Sequence, residues 1–232
     1  CSSSAKAFIT AKELIDSGVI DAAIVGGVDS LCQMTINGFF ALDSTAKGLS
    51  QPSSMNRDGI NIGEASALAV LRKDKGSIKL LGFGESSDAH HMSAPHPEGE
   101  GAVTTMTQAI SEAKLNPSDI GYINLHGTAT PKNDEMEAKA VSSVFGIETP
   151  CSSAKGLIGH TLGAAGATEI GLCWLMLQDE ESRLIPHVWD GEPDLEIPQI
   201  SLVNVGDKAT VKYCLSNSFA FCGNNVTLVI GK

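Results

Sequence analysis

Short, wholly apolar segments alternate with segments of helical period, and this pattern constrains the fold more than any other feature of the 232-residue chain. Asp21 to Gly27 (DAAIVGG) and Gly63 to Leu71 (GEASALAVL) read as buried strands. Ser2 to Ser17 reads as a helix with Phe8, Ala11 and Ile15 on one face and Gly18 as its stop. Helical stretches are also expected over Thr35 to Leu42, Ala102 to Lys114, Asn133 to Phe145 (Asn133 or Asp134 as N-cap) and Gly163 to Gln178. The last is apolar almost all round and is expected to be buried. Further strands are expected over Ile78 to Ser86, Asp119 to Leu125, Thr210 to Asn217 and Asn225 to Ile230, the last two paired. Lys47 to Gly59 and Ser87 to Gly101 read as loops, and Arg72 to Gly76 as a polar turn. The fold class implied is layered α/β. Many of the 24 glycines fall inside apolar segments, which points to close backbone packing.

The formal charge of −11 argues against nucleic acid or an anionic membrane as a general partner. No apolar run approaches the ~20 residues of a membrane span. The six cysteines contain no CxxC pair, so neither a zinc ribbon nor a thioredoxin-type motif is supported. No secretory leader is legible in these residues, and scattered thiols in a chain this long point to a reduced, cytoplasmic setting.

Four segments carry chemistry-bearing side chains. Cys1 stands before SSSAKAF and a helical period, and a helix N-terminus favours a thiolate and offers N–H groups to an oxyanion. A terminal residue with no role is the bland reading. His126, in LHGTATPKND, ends a strand, where α/β folds place catalytic groups. Thr128 and Thr130 beside it can bind a polar ligand chain, and a structural histidine in a tight turn is the alternative. Lys155 and His160, in SSAKGLIGHTLGAAGATE, precede the apolar helix that carries Glu169. They suit an anion site or a proton relay, or an incidental helix start. Phe219 and Phe221, in NSFAFCGNN, can line a pocket or sit in the core. His90, His91 and His96 lack acidic or thiol ligands at suitable spacing. A loop edging a site accounts for them better than a metal.

In their order and spacing, CSSSAKAF, VGGVDS, MNRDGINIGEAS, HGTATPKND, SSAKGLIGHTLGAAGATE and SNSFAFCGNN resemble the β-ketoacyl-acyl carrier protein synthase family. That resemblance implies a thiolase-like αβαβα architecture, incomplete at its N-terminus. Residues 1–75 would be the remainder of the N-terminal half and 76–232 the C-terminal half. It implies an acyltransferase that condenses an acyl thioester with malonyl-acyl carrier protein, in fatty-acid or polyketide and polyene assembly. Cys1 would carry the acyl group. His126 and His160 would promote loss of CO2 and hold the enolate. Lys155 would position or polarise that network, and Glu169 would orient Lys155. Phe221 would gate the acyl pocket and share the oxyanion hole with Cys1. Thr128 and Thr130 would hold the phosphopantetheine arm. The resemblance implies no cofactor beyond that carrier arm, a homodimer, and an acyl carrier protein as partner. In some relatives a monovalent cation lies near positions matching Asn124, Glu169, Ser216 and Asn217.

Ala220, Cys222 and Asn224 depart from the usual FGFGGTN, PSSMNRDG lacks the usual Phe-Asp, and GEAS replaces GEGA. These changes bear on acyl preference and leave the catalytic positions intact. Two other readings remain at this point. One is a hydrolase with an N-terminal nucleophile, which would start on a strand. The other is a non-catalytic partner subunit of the same fold, which would lack the nucleophile.

Overall fold

The computed structural model describes residues 1–73 and 76–232. The expected turn over Arg72 to Gly76 falls in part on residues 74 and 75, outside the described residues. Six helices and seven strands are seen among the described residues: α1 (Ser3–Asp16), β1 (Ala22–Asp29), α2 (Gln33–Ala41), β2 (Ala65–Arg72), β3 (Lys79–Ser87), α3 (Glu100–Glu112), β4 (Ile120–Asn124), α4 (Pro131–Phe145), β5 (Cys151–Ser152), α5 (Lys155–Ile158), α6 (Ala165–Gln178), β6 (Tyr213–Ala220) and β7 (Asn224–Gly231). β1 and β2 form an antiparallel pair. The other five strands form one sheet in the order β3-β7-β6-β4-β5. β4 runs parallel to β5 and β6, whereas β7 runs antiparallel to β6 and β3.

The layers follow from strand alternation. Cys214, Val226 and Leu228 face one core together with Phe8 and Ile9 of α1 and Ile170 and Cys173 of α6. Leu215 and Val229 face a second core together with Met106 of α3 and Met136 and Val141 of α4. α1 and α6 therefore lie between the two sheets, and α3 and α4 cover the far side of the five-stranded one. These are four layers of an αβαβα stack.

The layer that would cover the outer face of the β1–β2 pair is not among the described residues. Both strands, expected to be buried, alternate instead. Ile24 is 79% exposed and Leu68 68% exposed on the outer face, while Val25 is buried on the inner. α6 also departs from full burial, since Trp174 and Leu175 on its outer side are exposed.

α1 and α6 touch at backbone distance. A Cβ on Gly166 would stand 2.7 Å from Ala5 Cβ and 2.8 Å from its backbone nitrogen. Neither helix backbone can give way cheaply inside a packed layer. Gly166→Val is expected to cost about 3 kcal/mol, read as a lowered urea midpoint. An unchanged midpoint would contradict this crossing.

Three local differences from the sequence reading have physical causes. α4 starts at Pro131 with Thr130 as N-cap residue. Pro needs no hydrogen-bond acceptor in the first turn, so the helix begins earlier than the Asn133–Asp134 cap suggested. Asn133 and Asp134 are instead buried within it. β6 was expected to end at Asn217 and runs on to Ala220, through buried Ser216, Asn217 and Ser218. Polar residues usually mark a strand end, but here Ser216 and Asn217 have partners in neighbouring elements: Asn124 for Ser216, and Glu137 and Thr227 for Asn217. The two-residue β5 and the one-turn α5 were too short to leave a period in the sequence.

Candidate active site

Cys1 lies just before Ser2, the N-cap residue of α1, and points into a cavity of about 350 Å³. His126, His160, Thr128, Thr130, Phe219 and Phe221 share that cavity. A larger cavity of about 640 Å³ lies along β2 between α1 and α6 and is lined by none of these residues. The chemistry lies in the smaller one.

His160 Nε2 is 2.9 Å from Cys1 Sγ. The His126 and His160 rings meet edge to face, with centroids 5.4 Å apart, and Phe219 packs against His126 at 6.0 Å. The three residues Cys1, His126 and His160 bring their potential ligand atoms within 4.8 Å of one another. His90, His91 and His96 form no such group among the described residues. Their loop supplies Ser93, Ala94 and Pro95 to the cavity edge.

Backbone pairing places each histidine. His160 is bridged to the segment before β2: its N–H donates to Asn61 C=O (2.7 Å) and its C=O accepts from Gly63 N–H (3.0 Å). His126 follows β4, whose last residues pair with β5. Burial pushes both imidazoles well below their ordinary pKa, helped by the Lys155 charge. Both rings are therefore neutral near pH 7. The Nδ1 atoms are buried without partners. An N–H on Nε2 of His160 can therefore be directed at sulfur or at a developing oxyanion.

Lys155 reaches this centre through the main chain. Its Nζ donates to His126 C=O at 2.5 Å and forms a buried ion pair with Glu169. Burial pushes the Glu169 carboxyl up, and the Lys155 charge opposes that shift. Thr128 and Thr130 share a hydroxyl–hydroxyl hydrogen bond of 2.9 Å at the cavity wall. Phe221 is 41% exposed, because Cys222 turns the chain with φ 63° directly after it. Its ring rests 5.8 Å from Phe39 of α2, a cavity residue absent from the sequence-derived set.

The four positions expected near a cation divide. Asn124 Oδ1 and Glu169 Oε2 are buried with no hydrogen-bond partner, and Ser216 Oγ accepts from Asn124 Nδ2 at 3.3 Å. Orphaned carbonyl and carboxylate oxygens suit a hard monovalent cation. Asn217 does not join them by its side chain, which donates to Glu137 and accepts from Thr227.

Four supporting residues escaped the sequence reading. Asp134 accepts from Thr128 N–H (3.1 Å) and Ser53 N–H (2.8 Å), tying the 47–59 loop to the threonine wall. Glu137, one turn further along α4, accepts from His126 N–H and Gly127 N–H, both at 2.7 Å. Burial pushes its carboxyl up to about 7, against the pull of those N–H donors. Ser153 donates to Gly127 C=O at 2.7 Å. His187 accepts from Ser153 N–H at Nδ1 (3.0 Å), and its Nε2 lies 2.8 Å from Pro52 C=O. The DEMEA segment carried the one available signal: two acidic residues three apart on the apolar side of a helix.

The His187 bonds require the neutral ring protonated on Nε2, and burial pulls its pKa down to about 4. Below pH 6.5 the unfolded chain takes up a proton that folded His187 refuses. Stability therefore falls as pH drops from 6.5 toward 4, by about 2 kcal/mol at pH 5 from this residue. His126 and His160 add losses of the same sign. The difference in urea stability between pH 7 and pH 5 is thus expected to be smaller in His187→Gln than in the unaltered protein. Equal losses would rule the assignment out.

The sequence model for "Beta-ketoacyl synthase, N-terminal domain" matches residues 1–76, and that for "Beta-ketoacyl synthase, C-terminal domain" matches residues 78–188. The chain is 31% identical to a 3-oxoacyl-[acyl-carrier-protein] synthase 2 of Staphylococcus aureus, over 100% of this chain and 60% of that protein. It is 33% identical to the mitochondrial 3-oxoacyl-[acyl-carrier-protein] synthase of Arabidopsis thaliana, over 99% and 54%. Among solved structures, a ketosynthase in complex with its chain length factor from Xenorhabdus doucetiae superposes with a TM-score of 0.96. It shares 50% identity, over 100% of this chain and 58% of that one. This chain thus spans a little over half the length of these relatives. With both domain models matched in order and the ketosynthase fold reproduced over the whole chain, the chain belongs to the β-ketoacyl synthase family.

Proposed function

We propose that the protein is a condensing acyltransferase that extends an acyl thioester by two carbons taken from a malonyl thioester. The observation that carries this reading is one cavity holding a thiol 2.9 Å from an imidazole nitrogen, with a second neutral imidazole edge-on to the first. In the first half-reaction the Cys1 sulfur bonds to the acyl carbonyl carbon, and the carrier thiol leaves with a proton. In the second, the malonyl carbon–carboxylate bond breaks, CO2 departs, and its electron pair forms an enolate. Neutral His126 and His160 donate hydrogen bonds to that enolate oxygen. The enolate carbon then bonds to the acyl carbon, and the Cys1–acyl bond breaks, returning the thiolate. Thr128 and Thr130 offer hydroxyls to the carrier's amide-bearing arm, and Phe221 with Phe39 forms the mouth of the acyl pocket. Asn124 and Glu169 would hold a monovalent cation, which would supply charge compensation for Glu169.

Fatty-acid and polyketide synthases share this chemistry. The 50% identity to a ketosynthase that works beside a chain length factor favours a heterodimer with a related subunit over a homodimer. The non-catalytic alternative is disfavoured by the intact Cys1–His160 contact. The hydrolase alternative is disfavoured by the helix that follows Cys1 directly. The test is to incubate the full-length protein with acyl- and malonyl-acyl carrier protein, with and without a co-expressed partner subunit. A 3-oxoacyl product and one CO2 per condensation are expected. Free fatty acid with no CO2 would point to hydrolysis instead.

A further inference from the structure

Cys1, His126 and His160 present one sulfur and two imidazole nitrogens within 4.8 Å of one another. That donor set has a meaning outside condensation. Thiolate and neutral imidazole are ligands of Zn2+ and similar soft divalent ions, whereas Mg2+ and Ca2+ take oxygen. Bonds of about 2.3 Å to sulfur and 2.0 Å to nitrogen put the ligand atoms of a tetrahedral ion about 3.4–3.5 Å apart. Cys1 Sγ and His160 Nε2, at 2.9 Å, need to part by roughly half an ångström, and no gap in the group needs to close by more than about 1.5 Å. Side-chain rotation supplies movements of that size. Cys1 is only half-buried, and no hydrogen bond at Nδ1 resists a tilt of either ring.

The same lack of partners sets the strength of the site. Resident zinc sites fix each histidine by a hydrogen bond from its far ring nitrogen, worth about 10–100-fold in affinity. Neither Nδ1 has such a partner, so an ion held here exchanges with solution. The cavity of about 350 Å³ leaves a fourth position open to water and gives the ion a way in. The buried Lys155 and Glu169 charges cancel as an ion pair, so together they add no net positive charge against a cation.

We infer that Cys1, His126 and His160 form an exchangeable site for a soft divalent cation of the Zn2+ type, which shuts the enzyme off reversibly. On binding, a metal–sulfur bond forms and the Cys1 thiol proton leaves to solvent. Each imidazole gives one nitrogen lone pair to the ion and keeps its single proton on the other nitrogen. One proton is released per ion, and no electron is transferred. The sulfur can then no longer attack an acyl carbonyl, and neither ligating nitrogen can donate to an enolate. Metal capture stands on the geometry alone, and its effect on turnover rests on the condensing-enzyme reading.

The experiment titrates the full-length protein with Co2+, a coloured substitute for Zn2+, and then with Zn2+. Visible bands of a tetrahedral ion are expected together with a near-ultraviolet sulfur-to-cobalt charge-transfer band, both displaced by Zn2+. Cys1→Ala should abolish the charge-transfer band, whereas Cys32→Ser, which removes an exposed thiol outside the cavity, should keep it. His160→Ala should weaken Co2+ binding by about 100-fold. Unaltered protein supplies a second measurement that needs no variant to fold. Saturating Zn2+ should slow iodoacetamide alkylation of Cys1, read by peptide mass, by about 10-fold or more, and a chelator should restore it. A charge-transfer band that survives in Cys1→Ala, or Cys1 alkylation untouched by Zn2+, overturns the site. Metal binding without that band points to the His90–His96 loop and overturns it equally. Protection of Cys1 with condensation unhindered overturns the shut-off. Protection of Cys1 in a protein that makes no 3-oxoacyl product counts against the condensing reading and leaves the metal site standing.

Discussion

Cys1→Ala in the full-length protein is expected to abolish the acyl-enzyme and to lower condensation by a factor on the order of 10⁴ or more. Intact-mass measurement after incubation with acyl-acyl carrier protein reads the first effect directly. The size follows from the absence of a substitute. Cys151, Cys173 and Cys214 are buried. Burial pushes the Cys151 thiol far up, and the free Cys173 thiol, hydrogen-bonded to the Cys214 thiol and buried, also lies well above its ordinary value. Cys32 and Cys222 are exposed, and neither lines the cavity. CO2 release from malonyl thioester should survive in this variant, because His126 and His160 remain. An undiminished acyl adduct on the alanine variant would refute the mechanism.

The second large effect is on stability. Lys155→Met is expected to cost about 3–5 kcal/mol in urea unfolding, because it strips the partner from a buried carboxylate and from a buried carbonyl. Lys155 and Glu169 are both essentially inaccessible, with side-chain exposures of 2% and 1%. Methionine fills nearly the same volume, so the loss reports charge rather than a cavity. Adding Glu169→Leu should return much of the stability, since a buried pair replaced by apolar groups is often close to neutral. Activity should not return, because His126 C=O would still lack its donor. A loss below about 1 kcal/mol for Lys155→Met would mean that water reaches the pair.

These two predictions show how differently the sequence spoke about the two groups. Cys1 became legible through the ordered motifs around it, since HGTATPKND, the Lys155–His160 loop and the Phe221 turn each restrict what the cysteine can be. Lys155 was legible as a member of the site, but its mode of action was not. It touches the main chain of His126 and leaves the imidazole alone. Side-chain type cannot announce a bond to a carbonyl, because every residue has one.

The sequence by itself carried the alternation of helix and strand and the layered α/β class, while Cys1, His126, Lys155, His160 and Phe221 were singled out by the resemblance of their ordered motifs. Apolar periodicity and turn chemistry are written residue by residue, so they survive in one dimension. Only the tertiary structure decided that Cys1 and His160, 159 positions apart, meet at 2.9 Å. Only it decided that Asn217 serves Glu137 across 80 positions, that β6 continues through Ser216 to Ser218, and that one face of the β1–β2 pair lies open. The physical reason is common to all four. A pattern of burial tells which residues leave water, but the partner of each buried donor is fixed by packing between distant elements. A lone Asn or Glu in a helix or strand carries no mark of it.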